Sequence, residues 1–227
     1  ATFDVGVAPM PGSGDGNPGA SVFQGTNLLV FTGATPEQQA VARRLEVSAM
    51  ADLPSIAAWR RAFAGFGAKP TQYRSSAEAL LRRLTKRGEI PSVNSLVDIG
   101  NLVSIRYAMP VAVVDREGIS GPITVRFATG EEPFNDLGSA EIVNPEPGEV
   151  VFVDDDGVAC ARRWCWRQSA QSATGPRTTE AVVIVEGHHD TAEADVTAAL
   201  DDLASLLDKY QPGSRIEESY VLPVVPR

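Results

Sequence analysis

Apolar positions recur at helical spacing between residue 35 and about residue 107, then alternate at strand spacing through most of the remaining chain. Thr35-Pro36-Glu37-Gln38 reads as a helix start, with a threonine cap, proline at the first helical position and glutamine three residues on. That helix is predicted to run to about Ala49. A second is predicted from Asp52 or Ser55 through Trp59 to Gly65 or Gly67, and a third is capped by Ser75 or Ser76 and stopped by Gly88. Pro91 introduces a fourth. On it, Val93, Leu96, Val97, Gly100, Val103 and Ser104 fall near one stripe, with Asn94, Asp98, Asn101 and Ile105 on the next. Asparagine and aspartate compete for backbone partners and are poor helix-interior residues. Three at helical spacing either face something specific or tie the helix to neighbouring loops; spacing alone leaves both readings open.

The second half carries β-branched or alternating runs bounded by Gly, Pro, Asn and Asp: Val111 to Val114, Ile123 to Thr129, Val150 to Asp154, Val158 to Arg167 and Ala181 to Glu186. Asp155-Asp156-Gly157 supplies a hairpin turn. Thr191 to Tyr210 is an amphipathic helix with Val196, Leu200, Leu203 and Leu207 on one stripe, and a last strand is predicted around Arg215 to Leu222. Before residue 35, short strand-like runs flank a Pro/Gly/Ser/Asp-rich loop from Pro9 to Gly19. Helices first, then strands, then a covering helix predict an α+β fold around a central mixed or antiparallel sheet flanked by helices, with a helical N-terminal half.

Charge modifies this picture locally. The chain carries a formal −9, which argues against generic coating of nucleic acid, DNA included. Residues 41 to 90, however, hold 10 of the 20 basic residues and only 4 of the 29 acidic ones, so that segment is +6 and the rest −15. Such a basic face either engages part of a folded RNA or is a solvated helix surface. The hydrophobic share of 43% and charged share of 22% fit a soluble globular protein. No apolar run is long enough to span a membrane and no signal peptide is evident, so a cytoplasmic location is the default expectation.

Nucleotide-binding glycine fingerprints and the serine-nucleophile motif are missing from the sequence. His188-His189-Asp190 tempts a metal reading, but adjacent side chains rarely reach one ion, and Asp190 is better explained as a helix cap; no metal site is predicted. Read as one strand, Cys160 to Arg167 places Cys160, Arg162, Trp164 and Trp166 on one face and Ala161, Arg163, Cys165 and Arg167 on the other. The two cysteines then point apart and stay reduced. The Trp and Arg side chains either stack on bases and clamp acidic groups or build core.

Where the fourth helix meets the strands, the sequence resembles the B3/B4 domain, the editing domain of the phenylalanyl-tRNA synthetase beta subunit, and in particular freestanding proteins of that type. Val97-Asp98-Ile99-Gly100-Asn101, Pro110 and Asp115 carry the likeness to the synthetase. Trp59-Arg60, Phe66-Gly67-Ala68-Lys69-Pro70, Glu78-Ala79-Leu80-Leu81-Arg82-Arg83, Gly130-Glu131, Pro147-Gly148-Glu149-Val150 and Arg162-Arg163-Trp164-Cys165-Trp166-Arg167 carry the likeness to the freestanding group. It implies a single domain over residues 1–227, with a β/helix extension at 1–54, core motifs at 55–187 and a terminal helix and strand at 188–227.

The resemblance further implies a hydrolase acting in trans on mischarged aminoacyl-tRNA, without a cofactor, where a held water attacks the ester carbonyl. Asn101 and Glu186 are the catalytic candidates, the first matching the family's pocket asparagine and the second lying near its acidic residue. Gly100, Asp98, Ala112, Arg163, Trp166 and Arg167 are the substrate-binding candidates, and Arg60, Arg61, Arg82, Arg83, Lys86 and Arg87 the RNA-binding ones. Gly100 replaces the family's threonine, Ala112 its histidine, and Arg167-Gln168 falls near its Gly-Gly turn. Those departures keep two alternatives in play: a non-catalytic tRNA- or amino-acid-binding module, and a metabolic enzyme for a free amino acid or peptide-like ligand.

Overall fold

The computed structural model describes residues 50–217 with 219 and 221, and the backbone of a short strand at 21–22. The helix predicted from Thr35, the early loop and most of the first strand-like runs lie outside the described residues. Among the described residues there are four α-helices: α1 (Pro54–Gly65), α2 (Ser76–Arg87), α3 (Ser95–Tyr107) and α4 (Ala192–Tyr210). The first three precede nearly all the strands, as the change of period predicts.

Local chemistry sets their ends. Ser75 accepts a hydrogen bond from Glu78 N–H to open α2, and Gly88 closes it in the left-handed region at φ 72°, where a side chain is strained. Asn94 caps α3 by accepting from Val97 N–H, while its amide donates to Thr174. Asp98 accepts from Val93 N–H and from the Ser92 hydroxyl. Two of the three polar residues on this helix therefore tie its start to loops. At its far end Ala108 adopts φ 53°, and the Ser55 and Ser104 hydroxyls donate to the carbonyls of Ala108 and Met109, pinning the reversal into the next strand.

Among the described residues there are ten short strands, the first before the helices: β1 (Ser21–Val22), β2 (Val111–Asp115), β3 (Thr124–Phe127), β4 (Phe134–Asn135), β5 (Ile142–Val143), β6 (Val150–Val153), β7 (Ala159–Arg162), β8 (Arg167–Gln168), β9 (Glu180–Val185) and β10 (Arg215–Ile216). One sheet has the order β10-β1-β9-β2, a second β3-β6-β7-β8, and β4 pairs with β5; all pairings are antiparallel. The α+β class stands, with antiparallel rather than mixed sheets. The β4–β5 pair was not foreseen, because two-residue strands carry too little alternation to register.

Residue alternation divides the core. On β2 and β9, Val111, Val113, Ala181, Val183 and Val185 pack against α3 and α4, whereas Ala112, Val114, Val182 and Ile184 turn to the second sheet and α1. Leu203, Leu206 and Leu207 of α4 are buried against the first face. Asp190 does not cap α4 as predicted; Thr191 occupies that position, and Asp195 accepts from both Thr191 and His189.

The run from Val158 to Arg167 is not one strand. It is a hairpin, β7 and β8, reversed at residues 163–166 with Arg163 at φ 44° and Trp164 at φ 62°. Trp164 N–H donates to Val150 O, and Trp166 N–H closes the turn on Arg163 O. The predicted shared face for Trp164 and Trp166 is thereby lost: Trp164 is wholly buried and Trp166 only half.

Candidate functional site

Glu186 stands one residue past β9, and alternation directs it to the face that also carries Ala112 and Ile184. Its backbone N–H donates to Pro110 O, holding the strand end beside the start of β2. One carboxyl oxygen accepts from Trp164 Nε1 at 2.9 Å. The residue is half-buried, and burial of the carboxyl pushes it up to about 7, with the indole hydrogen bond opposing that rise. At neutral pH such a group divides between acid and base forms, which suits proton transfer.

Trp164, its partner, is one of three rings in mutual contact. Trp59 meets Trp164 edge-on at 5.2 Å, and His188 meets Trp59 at 4.4 Å and Trp164 at 4.9 Å, both edge-on. Burial first, and then the neighbouring His189, lower His188 to about 4, so its ring is neutral. Trp59 Nε1 and His188 Nε2 are enclosed without a hydrogen-bond partner in the protein. Each unmet group costs about 1–3 kcal/mol. Phe66, Tyr73, Ala112, Cys165, Trp166 and Ile184 pack, half-buried, on the larger apolar core to which Trp59 and Trp164 belong.

The substrate candidates on the Trp/Arg hairpin cluster together. Arg163 pairs with Glu149 at 2.7 Å and lies over the rings of Tyr73 at 4.0 Å and Trp166 at 4.9 Å. Arg162 shares the same carboxylate at 2.7 Å. Arg167 is exposed, 5.0 Å from the Trp166 ring and 3.9 Å from Asp136.

The α3 candidates sit elsewhere. Gly100 packs on the opposite face of β2 from Ala112: a Cβ there would come within 2.9 Å of Val113 Cγ2 and 3.3 Å of Val111 Cγ1. Its smallness is what lets helix and strand approach. Asn101, the next residue, is half-buried on α3, and among the described residues no hydrogen bond joins it to Glu186. Asp98 is occupied with the loop at 92–93.

The basic candidates divide. Glu78, 1% exposed, gathers Arg82 at 2.8 Å and Arg60 and Arg74 at 3.7 Å, which absorbs part of the segment's charge. Arg83 is half-buried, leaving Arg61 on α1 and Lys86 and Arg87 in the last turn of α2 as the exposed cations. There they also complement the helix dipole.

Trp59, noted only as a motif residue, and His188, weighed only as a metal ligand, were not among the site candidates. The signal for His188 was present, since residues 184, 186 and 188 share a parity along one strand direction, but the doublet with His189 drew attention to metals. Both thiols are free and pushed up by burial, Cys160 to about 12 and Cys165 well above its ordinary value, the latter also by the Glu186 charge. Among the described residues, no group of three or more His, Cys, Asp or Glu could hold a metal, and no helix is long and apolar enough to cross a membrane.

Comparison with known proteins gives one consistent result. The B3/4 domain family matches residues 58–212. The chain is 26% identical over 126 residues to a phenylalanine–tRNA ligase beta subunit of Shewanella oneidensis, covering 56% of this chain and 16% of that protein. It is 37% identical over 83 residues to the corresponding subunit of Nitrobacter winogradskyi, covering 37% of this chain and 10% of that protein. The chain thus spans a sixth or less of these relatives. A solved N-terminal fragment of the phenylalanyl-tRNA synthetase beta-subunit from Pyrococcus horikoshii matches at 16% identity and a TM-score of 0.44, over 55% of this chain and 42% of that one.

Proposed function

The chain belongs to the B3/4 domain family, and on that premise we propose that it hydrolyses the ester of a mischarged aminoacyl-tRNA in trans, with Glu186 as the proton-transfer group. The observation that supports this reading most is the Glu186 carboxyl itself, held by the Trp164 indole and raised to about 7 by burial. Water attacks the ester carbonyl as Glu186 takes its proton. The tetrahedral intermediate then breaks its bond to the ribose oxygen, which leaves with the proton returned by Glu186, giving free amino acid and tRNA.

Asn101, which the family likeness offers for orienting the ester or the terminal adenosine, stands on α3, which packs on the other face of β2 from the Glu186 side, so no part in the Glu186 step is assigned to it. Ala112 faces the same core cluster as Ile184, and its methyl stands where the family carries an imidazole. Asp98 and Gly100 support the α3 framework, through the loop and the strand contact respectively. Arg163, Trp166 and Arg167 border the substrate, and Arg60, Arg61, Arg82, Arg83, Lys86 and Arg87 form the basic side that meets tRNA, with Arg61, Lys86 and Arg87 the most available. Such a reaction belongs in the cytoplasm. The synthetase's own aminoacylation is not carried over, given the small share of its length that this chain spans.

Incubating the protein with a panel of mischarged tRNAs tests the proposal: at least one is deacylated faster than in buffer, and Glu186→Gln abolishes the acceleration. Absence of acceleration on every member, with RNA binding retained, refutes it in favour of a binding module. That second reading draws on Gly100 and Ala112, which lack the hydroxyl and imidazole that the family uses there.

A further inference from the structure

Glu78 is the buried centre of a cluster with a surplus of positive charge. Its carboxylate stands in the first turn of α2, with Arg82 one turn further along; Arg60 reaches it from α1 and Arg74 from the loop before α2. Three guanidiniums, which keep their protons in proteins, against one carboxylate leave a formal +2. The hydrogen bonding is as uneven. Arg82 Nε donates to Glu78 at 2.8 Å, whereas Arg60 and Arg74 stop at 3.7 Å, beyond hydrogen-bond reach. Among the described residues that is the one hydrogen bond the three guanidiniums make, and Arg74 Nε is enclosed with no partner at all. Each guanidinium presents five N–H donors in a planar fork. Glu78 is sealed at 1% exposure, but the side chains of Arg60, Arg74 and Arg82 are 26%, 33% and 36% exposed, so a group from outside meets the arginines and not the carboxylate. A tie between α1 and α2 needs one ion pair. Holding two further cations on the same anion costs Coulomb energy that such a tie does not require.

We infer that this cluster seats the phosphate of a phosphomonoester. Charge points to it first: a monoester carries about −1.5 to −2 at neutral pH and nearly cancels the surplus, while a diester carries a single charge. Shape agrees. Guanidinium forks match phosphate oxygens two at a time, and a monoester offers three free oxygens to three arginines where a diester offers two. The first turn of α2 adds the partial positive charge of its peptide dipoles. Glu78 gathers the three side chains before any ligand arrives, which lowers the ordering cost of binding. The bearer of the phosphate is a small phosphomonoester or the 5′ end of an RNA; only the RNA source rests on the deacylase reading.

Calorimetric titration of the full chain with glycerol phosphate at low ionic strength tests the inference, beside dimethyl phosphate as the diester. Glycerol phosphate binds at one site per chain, and the diester binds roughly tenfold more weakly or less. Arg74→Gln weakens glycerol phosphate by about ten- to a hundredfold, the worth of a charge-assisted hydrogen bond. Arg74→Lys, which keeps the charge without the fork, falls between, and Arg177→Gln, at an exposed arginine outside the cluster, changes nothing. Should Arg74→Gln fail to fold, Arg60→Gln on α1 carries the test with the same expected loss. Anisotropy with one RNA hairpin, bearing a 5′-phosphate or a 5′-hydroxyl, identifies the bearer. Tighter binding of the phosphorylated form, lost in Arg74→Gln, supports the RNA end; equal binding of both, with glycerol phosphate still held through Arg74, supports the small molecule. A diester bound as well as the monoester, no preference for phosphate in either assay, or unaltered binding in both Arg74→Gln and Arg60→Gln overturns the inference and leaves the cluster a structural tie. Phosphate binding through Arg74 without deacylation of any charged tRNA refutes the hydrolase and leaves the seat standing. Deacylation with no phosphate preference does the reverse.

Discussion

Replacing Glu186 with glutamine isolates what the fold expends to hold that carboxyl. A glutamine of the same shape keeps an oxygen for Trp164 Nε1 but cannot ionise. Moving a carboxyl from its ordinary 4.5 to about 7 corresponds to about 3 kcal/mol of preference for the protonated form in the folded state. Between these values the unfolded chain has released the proton and the folded chain retains it, so wild-type stability from this group falls as pH rises from 4.5 through 7. The cost is absent near pH 4 and complete near pH 8.5. The glutamine variant escapes it, so its stability relative to wild type rises by up to about 3 kcal/mol across that window. Urea unfolding of both proteins at the two pH values, followed by tryptophan fluorescence, measures this, and titrations common to both cancel in the difference. A constant offset at both pH values reports only the new amide N–H. A difference that stays flat or shrinks with pH refutes the assignment of a buried, neutralised carboxyl.

Three further outcomes follow from the same geometry. His188→Phe keeps the ring contacts with Trp59 and Trp164 but removes a group lowered to about 4. Wild type should lose up to about 3 kcal/mol as pH falls from 6.5 through 4, because the unfolded chain binds the proton first, and the variant should lack that loss in acid unfolding curves. Gly100→Thr, which restores the family residue, meets the stiff Val113 side chain at 2.9 Å, so chemical denaturation should show about 2–3 kcal/mol lost without any gain in activity. Cys160, buried with its thiol pushed up to about 12, should react with iodoacetamide at pH 8 only as the protein unfolds, read by mass spectrometry; rapid labelling of that thiol in the native protein would contradict its burial.

Helix caps and period carried the fold into the sequence with little loss. Ser75, Gly88 and the apolar stripe of α4 are local signals, and local chemistry decides them. The hairpin at 163–166 was illegible for the opposite reason. No glycine or proline marks it, and its left-handed residues are held by partners distant in sequence, Val150 for Trp164 and Ser76 for Cys165. The candidate site was half legible. Glu186 came from a resemblance, and strand alternation puts it on the face of Ala112, but its company of Trp59, Trp164 and His188 depends on packing α1 against two sheets. Asn94 and Asp98, which spacing left between two readings, prove to be helix-start chemistry.

The most direct measurement is the pH dependence of deacylation, taken on whichever mischarged tRNA the protein accepts, for wild type and Glu186→Gln in parallel. With Glu186 as the base, the wild-type rate rises with pH through an apparent pKa of about 7 and the variant shows no such limb. A variant that deacylates as fast as wild type, or a wild-type rate already flat from pH 5.5 to 8.5 (about the range that brackets that value), would contradict the central claim.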